Sequence, residues 1–247
     1  MLYNIVMTPA EKYVRLQTGL DIKIVDSCIS TFDEIEDHDA IIAFSQQQGK
    51  GRGEHSFFCP KGGIYIVLRV VGMHVDPHTL TPAVGLAVHD TVLSVLGLDT
   101  RLKWVNDVIY NGKKVAGILC KSPRKAEYLI GIGINYSTDP AVFDEHGLGE
   151  IAGSLCAPPA RSAEFIAGLL NSVKRAALSP FDFERYGTLC ATIGNNVSFK
   201  YNGTDIEGFA ESIAPDGSLT VRIGTATVSV DAGEVSIIRE IKAPVTE

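Results

Sequence analysis

Four short segments carry residue types that could bind or activate an anion. The first, Gln46-Gln47-Gln48-Gly49-Lys50-Gly51-Arg52-Gly53, alternates glycines with two cations. Glycine lets backbone N–H groups converge and lets the chain approach a ligand closely, while Lys50 and Arg52 add charge. The run is neither GxGxxG nor GxxxxGK[ST], and its composition also suits a solvated loop. The second, Lys103-Trp104-Val105-Asn106-Asp107, sets the only tryptophan beside a cation, an amide and a carboxylate. Asp107 could hold Mg2+ or a hydroxyl; alternatively, Asn106-Asp107 closes a strand-end turn. The third, Lys113-Lys114-Val115-Ala116-Gly117-Ile118-Leu119, follows an Asn-Gly dipeptide. Strand alternation sends Lys113 and Lys114 to opposite faces, so one points at the core or a pocket and needs an anionic partner there. The other reading is a gatekeeper lysine at a strand edge. The fourth, Gly131-Ile132-Gly133-Ile134-Asn135, places two glycines in an apolar strand, the mark of close backbone approach. Asn135 could read a purine edge or cap a loop.

These segments need a frame. Residues 22–25, 40–44 and 64–71 (IYIVLRVV) read as strands. A helix is predicted over 81–97, with Thr81 as cap, Pro82 in its first turn and Gly97 at its end. Val84, Val88, Val92 and Val95 form its inner stripe. Residues 107–110 and 113–120 read as a hairpin around Asn111-Gly112, which accepts positive φ at both central positions. Residues 127–135 read as a buried strand, and 136–159, rich in Gly, Pro, Asp and Ser, as a long loop of the kind that is usually functional or mobile. A helix opens at Ser162 with Phe165, Ile166, Leu169, Leu170 and Val173 inward, and a short helix covers 181–189. Beyond about residue 193, short strands alternate with Asn-Gly and Asp-Gly turns, as in a small all-β barrel. The expected architecture is α+β: a mixed sheet with flanking helices over residues 1–192, then a barrel over 193–247.

Composition narrows the class. The chain has 247 residues, 45% hydrophobic and 21% charged, which excludes collagen-like, coiled-coil and disordered proteins. No apolar run approaches the ~18 residues of a membrane span, and the N-terminus lacks the pattern of a secretory signal. Twenty-two Lys+Arg against 29 Asp+Glu give a net charge of −7, against broad nucleic-acid binding. Cys28, Cys59, Cys120, Cys156 and Cys190 are scattered and odd in number, with no CxxC pair, so reduced thiols in a cytoplasmic protein are expected. His74 and His78 are separated by Pro77 and are not expected to hold a metal.

The order and spacing of the segments carry more than any one of them. QQxGKGRG, then Cys59-Pro60 with GGIY, KWVND, NGKKVAGIL and GIGIN, resembles the biotin–protein ligases (biotin–[acetyl-CoA-carboxylase] ligases) from about Val25 to the C-terminus. KWxND and GKKVAGIL are specific to that family. The resemblance implies a catalytic domain like those of class II aminoacyl-tRNA synthetases followed by an SH3-like barrel, in a short form without a DNA-binding domain. It implies biotin, ATP and Mg2+ as substrates and metal, and a carboxylase's biotin carrier domain as acceptor. No DNA or membrane partner is expected, and a homodimer is left open. By resemblance, Ser30, Thr31, Gln46, Gly49, Lys50, Gly51, Arg52, Lys114 and Gly117 hold biotin. Arg52, Lys103, Trp104, Asn106, Asp107, Lys114 and Asn135 serve the nucleotide, Asp107 also the metal, and Lys114 and Arg52 are catalytic. A lipoate–protein ligase of related fold and an inactive module that only docks carrier domains are the alternatives; KWxND and intact Lys114 and Arg52 argue against them.

The sequence departs from the family pattern at Lys50 (usually Arg), Phe32 (Asn), Phe57 (Trp), Cys59 (Ser) and Val105 (Pro). A lysine at position 50 lacks the planar fork of arginine. Release of the activated intermediate is therefore expected to be fast in a rapid-quench or filtration assay; a half-life of many minutes would refute this.

Overall fold

The computed structural model describes residues 7–53, 55–72, 76–201, 204–231 and 235–237. Helix α1 (Pro9–Thr18) opens on Thr8, whose hydroxyl accepts from the Glu11 N–H, and stops at left-handed Gly19. Strand β1 (Ile22–Val25), helix α2 (Thr31–Glu34), β2 (Ala40–Ala43) and β3 (Ile64–Val71) follow. The main helix, α3, spans Pro77–Thr91 and runs into a π-helical turn, Val92–Leu96, ended by Gly97 at φ 70°. It starts a turn earlier than predicted, because Asp76 accepts the His78 N–H as cap and Pro77 takes the first position, leaving Pro82 inside. Strands β4 (Arg101–Lys103), β5 (Asp107–Tyr110), β6 (Lys113–Arg124) and β7 (Glu127–Ile134) come next. The predicted loop at 136–159 contains helix α4 (Pro140–Glu145), with Asp139 as cap and proline at its start. Helices α5 (Ser162–Leu178) and α6 (Phe183–Leu189) precede strands β8 (Asn196–Tyr201), β9 (Thr204–Ile213), β10 (Leu219–Ile223), β11 (Ala226–Val230) and β12 (Val235–Ile237).

Seven strands form one mixed sheet in the order β1-β2-β3-β7-β6-β5-β4, with β1 and β2 parallel and the other pairs antiparallel. This is the expected mixed α+β architecture. One sheet face carries Ile64, Ile66, Leu68, Ile130, Ile132, Ile134, Ala116 and Ile118, which pack in one core with α3 and α5. The five inward residues expected of the 162 helix are all buried there. The span His78–Leu96 does pass the length and hydropathy test for a membrane helix, unlike the sequence expectation, but two thirds of it (67%) is buried in the protein interior. It is a core helix whose apolar circumference is consumed by packing.

The other face of the same strands is nearly bare, and its register explains why. One rung runs Tyr65–Gly133–Gly117–Asp107 across four strands, and the next runs Val67–Gly131–Leu119. Asn111 and Gly112 both take positive φ, 49° and 75°, as the hairpin prediction required. Past that turn the β5–β6 register slips: Val108 faces Ala116, but Ile109 faces Lys114. The extra residue, Val115, brings Lys114 onto the face of Gly117. The bulge, rather than simple alternation, decides which lysine turns inward.

The C-terminal strands form a five-stranded antiparallel sheet, β11-β10-β9-β8-β12. The last expected strand is seen over Val235–Ile237, and its remainder lies outside the described residues. Trp104, at the β4–β5 turn, donates twice: its N–H to Thr192 Oγ1 (3.0 Å) and its indole Nε1 to the Gly217 carbonyl (3.0 Å). A buried carbonyl deprived of its donor costs about 1–3 kcal/mol. Trp104→Phe is expected to lower the unfolding free energy by that amount, read as a lower urea midpoint at constant slope; an unchanged midpoint would show that the link to Gly217 adds nothing to stability.

Candidate active site

The bare face is the floor of a cavity of about 380 Å³, within the usual size of roughly 300–1,000 Å³ for a small-molecule site. Gly117 and Gly133 form its centre. The structure fills the space over them with the Phe57 ring: a Cβ at Gly117 would lie 2.8 Å from Phe57 Cε2, and one at Gly133 2.7 Å from Cε1. The Phe32 ring covers Gly131 in the same way, at 2.4 Å from the position of a Cβ. The glycines were expected to admit a ligand to the strand backbone. They also admit two aromatic rings, which narrow the floor and make it apolar. Tyr65 closes the rung, its hydroxyl donating to the Pro60 carbonyl (2.9 Å) while burial pushes the phenol well above its ordinary pKa.

The glycine-rich segment forms a tight hairpin against one wall. Phe57 N–H donates to the Gly49 carbonyl (2.9 Å) and Gly51 N–H to the His55 carbonyl (2.8 Å). A Cβ at Gly49 would sit 2.3 Å from the Phe57 carbonyl oxygen, and one at Gly51 2.8 Å from that of His55. These glycines therefore serve the hairpin's own closure, and Gly49 stays out of the cavity lining while Lys50, Gly51 and Arg52 belong to it. Lys50 forms an ion pair with Asp33 at the mouth.

Thr31 and Gln46 meet on the adjoining wall. Gln46 Oε1 accepts from Thr31 N–H (2.7 Å) and Thr31 Oγ1 (3.0 Å), and its Nε2 donates to Cys59 Sγ (3.2 Å). The amide is thereby locked, with its oxygen consumed and one N–H held only by a weak sulfur acceptor. Ser30, their expected companion, lies just beneath the surface, fully buried, with its hydroxyl unpaired.

The opposite wall is the β4–β5 turn. Lys103, Trp104, Asn106 and Asp107 all line the cavity. The Trp104–Val105 peptide is cis. Asn106 straps the turn to β6, its carbonyl accepting from Ile118 N–H (2.9 Å) and its Nδ2 donating to the Ile118 carbonyl (3.3 Å). Lys114 Nζ lies 2.6 Å from Asp107 Oδ1 and 5.4 Å from the Phe57 ring centroid. Lys114 thus has a carboxylate on one side and a ring face on the other, which answers the requirement that an inward lysine be partnered.

Asn135 is outside the lining. Its Nδ2 donates to the Gly153 carbonyl (2.8 Å) and reaches that of Lys114 (3.4 Å), while its Oδ1 is buried and unpaired. It ties the segment after β7 to the strand that carries Lys114. Of the residues singled out from sequence, all but Ser30, Gly49 and Asn135 border the one cavity. Tyr65, Leu119 and Val235 also border it and had carried no signal as isolated residues. Among the described residues no group of three His, Cys, Asp or Glu side chains could hold a metal by itself; His74 lies outside the described residues.

Comparison with known proteins agrees with this geometry. Residues 27–136 match the Biotin/lipoate A/B protein ligase family. The chain is 29% identical over 218 residues to the biotin--[acetyl-CoA-carboxylase] ligase of Mycobacterium tuberculosis, covering 82% of this chain and 81% of that one. It is 26% identical to the bifunctional ligase/repressor BirA of Escherichia coli, covering 87% of this chain and 73% of that one. Among solved structures, the biotin protein ligase of Aquifex aeolicus in complex with biotin and ATP superposes with a TM-score of 0.74 at 20% identity, covering 89% of this chain and 99% of that one. The ligase of Leishmania major with biotinyl-5-AMP gives 0.54 at 23%, covering 89% and 98%. Over residues 27–136 the chain thus matches the biotin/lipoate A/B protein ligase family, and along most of its length it is similar to biotin protein ligases.

The thiols around the site are held neutral. Burial pushes Cys59 up to about 12 and Cys28 up to about 11, and it raises Cys190 as well. A raised thiol pKa leaves the group protonated and unreactive at neutral pH. In native protein at pH 8, iodoacetamide is expected to label exposed Cys156 and spare Cys28, Cys59 and Cys190, as read by peptide mass spectrometry. Labelling of Cys59 at a comparable rate would contradict the closed wall described above.

Proposed function

We infer that this chain is a biotin–protein ligase. It activates biotin with ATP to biotinyl-5′-AMP, then transfers the biotinyl group to a lysine of a biotin carrier domain of a carboxylase. The observation that carries the reading is the convergence of Lys114, Arg52, Lys50 and Lys103 on one glycine-floored cavity with a single carboxylate, Asp107, facing Lys114. In the first step a carboxylate oxygen attacks the α-phosphorus, the bond to the bridging oxygen breaks and pyrophosphate leaves. Two anions must be brought into contact, so charge neutralisation and alignment supply most of the rate enhancement. Lys114 bridges biotin's carboxylate and the α-phosphate, exchanging Asp107 for them. Arg52 contacts the same phosphate through its planar fork. Thr31, Gln46, Lys50, Gly51 and Gly117 shape the biotin end, with Ser30 and Gly49 supporting it from behind. Lys103, Trp104, Asn106 and Asp107 form the nucleotide end, and Asn135 acts there by holding the following segment to β6. In the second step the acceptor amine attacks the acyl carbon, a C–N bond forms, the acyl C–O bond breaks, and AMP leaves as the nitrogen loses its proton. The closed floor excludes water from this hydrolysable anhydride.

Mg2+ fits this site as a passenger on the nucleotide. One carboxylate plus substrate phosphates is its usual environment, and Asp107 is the carboxylate within reach. There it would offset phosphate charge. The five free cysteines support a reducing, cytoplasmic setting. Residues 193–247 form a second, SH3-like domain in this reading, supported by the five-stranded antiparallel sheet. Of the two edges of the large sheet, β4 is engaged by the Ala191 N–H to Leu102 carbonyl bond (2.7 Å) and β1 by the Arg15 guanidinium on the Ile22 carbonyl, so a small β acceptor that extends either edge displaces one of these contacts.

Labelled biotin is expected to pass to a carrier domain only with ATP and Mg2+ present. ATP–pyrophosphate exchange is expected with biotin and not with lipoate. Lys114→Ala should slow that exchange by ~10²-fold or more, the typical loss of one preorganised charge at a developing anion. Exchange driven by lipoate, or an unchanged rate in the variant, would overturn the assignment.

A further inference from the structure

Two aromatic rings close the cavity floor, and they stand at different distances from Lys114 along the strands. Gly117 and Gly133 face each other on one rung, and Lys114 reaches over it: a Cβ at Gly117 would lie 3.2 Å from Lys114 Nζ as well as against the Phe57 ring. Gly131 is two residues further along β7, opposite Leu119. At roughly 3.4 Å of strand per residue, that is about 7 Å farther from the lysine end. There the floor is closed by Phe32, whose Cζ and Cε2 fill the space that a Cβ on Gly131 would need.

Phe32 is held in that position from several sides. Its backbone belongs to α2, a single turn whose first residue, Thr31, is bound twice by the Gln46 amide and whose last, Glu34, accepts from the Ile29 N–H (3.0 Å). The ring packs against the small apolar cluster of Ile35, Ile41 and Val67. On its face stands the Lys121 ammonium of β6, 4.5 Å from the ring centroid, a cation–π distance. Partial desolvation there, with Lys50 close by, lowers the Lys121 pKa. A ring fixed by packing, by a cation and by a doubly bonded turn does not yield to a ligand as a free side chain would.

We propose that Phe32, braced by Lys121, is a specificity-determining residue: it is the stop at the far end of the cavity and excludes acids longer than biotin. This rests on the ligase reading above and adds to it how the site measures its substrate. A carboxylate drawn to Lys114 fixes one end of the acid, and the Phe32 ring limits the other. Polar contacts cannot make this distinction, because an added methylene leaves the carboxylate and the ring heteroatoms unchanged. Only a wall rejects it, and one surplus methylene against an apolar wall is worth roughly 10–200-fold in kcat/KM.

The test is ATP–pyrophosphate exchange by the full chain with biotin and with homobiotin, whose side chain is longer by a single methylene. The native chain is expected to favour biotin in kcat/KM by at least ~10-fold, the lower end of that range. Phe32→Ala is expected to bring the ratio below about threefold by raising kcat/KM for homobiotin. Phe32→Leu, which keeps an apolar side chain in the cluster, is expected to fall between the two. Lys121→Met removes the brace and is expected to lower the ratio part of the way, whereas Lys121→Arg keeps a cation on the ring and is expected to hold it. A merely structural role would slow exchange with both acids alike and leave the ratio where it was. A native ratio of one, or a ratio within about twofold of native in both Phe32 variants, overturns the proposal. Absence of exchange with biotin in the native chain would instead refute the ligase reading.

Discussion

An ammonium on the inner face of a sheet must be neutralised, and the arrangement of this protein follows from how Lys114 meets that need. A bulge turns Lys114 inward, and Asp107, one strand away, is the carboxylate that receives it at 2.6 Å. The pair is half-open to solvent, at 31% and 16% side-chain exposure, so it is neither a deeply buried bridge nor a surface one. A buried ion pair repays its desolvation only with good geometry, and breaking it strands a charge. A half-buried one is exchangeable: an incoming anion can take the ammonium while water and the remaining cations attend to the carboxylate. That intermediate burial suits a lysine that has to release one partner and accept another.

The glycine rung is the second half of the same constraint. A side chain at 117 or 133 would collide with Phe57, and Phe57 is also the ring that faces Lys114. The floor is therefore apolar where the cation is not. An ammonium set between a ring face and a carboxylate in a partly enclosed cavity interacts with an added charge through a lower effective dielectric than bulk water. The cation and the apolar floor beside it are made by the same four residues, Gly117, Gly133, Phe57 and Lys114.

Much of this was legible in the sequence because it is local. Asn111-Gly112 fixes its hairpin through the backbone alone, the β-branched and aromatic run from Ile64 identifies its own strand, and the apolar stripe of α5 identifies its buried face. What was not legible depends on partners distant in sequence. Alternation left Lys113 and Lys114 equivalent until the pairing of β5 with β6 placed the bulge. Gly49 and Gly51 look like ligand-binding glycines, yet the carbonyls they must clear belong to Phe57 and His55 in their own hairpin. Helix α4 hid in a stretch of loop composition because its six residues carry no apolar period, although Asp139-Pro140 is a start signal. Helix α1 was not predicted, although Thr8-Pro9 precedes it as a start signal. Asn135 was expected at a ligand, but its amide spans two carbonyls 18 and 21 residues away in the chain.

Trp104 shows why the C-terminal sheet has to be counted with the site. It borders the cavity while its indole N–H reaches the Gly217 carbonyl in the turn before β10, and Val235 of β12 borders the same cavity. That turn is rigid: Asp216 Oδ1 accepts from the Ser218 N–H and hydroxyl, an arrangement that holds the Asp216 carboxyl below its ordinary pKa. Gly217 sits at φ 84°, where a Cβ would also crowd the His78 carbonyl at 3.1 Å. The tryptophan is thus fixed by a turn that is itself fixed against the start of α3. Lys103, Asn106 and Asp107 are its chain neighbours, so the wall opposite the hairpin takes its position from both sheets. The cavity is therefore bounded on one side by a hairpin that closes on itself and on the other by a turn anchored to the separate sheet through Trp104.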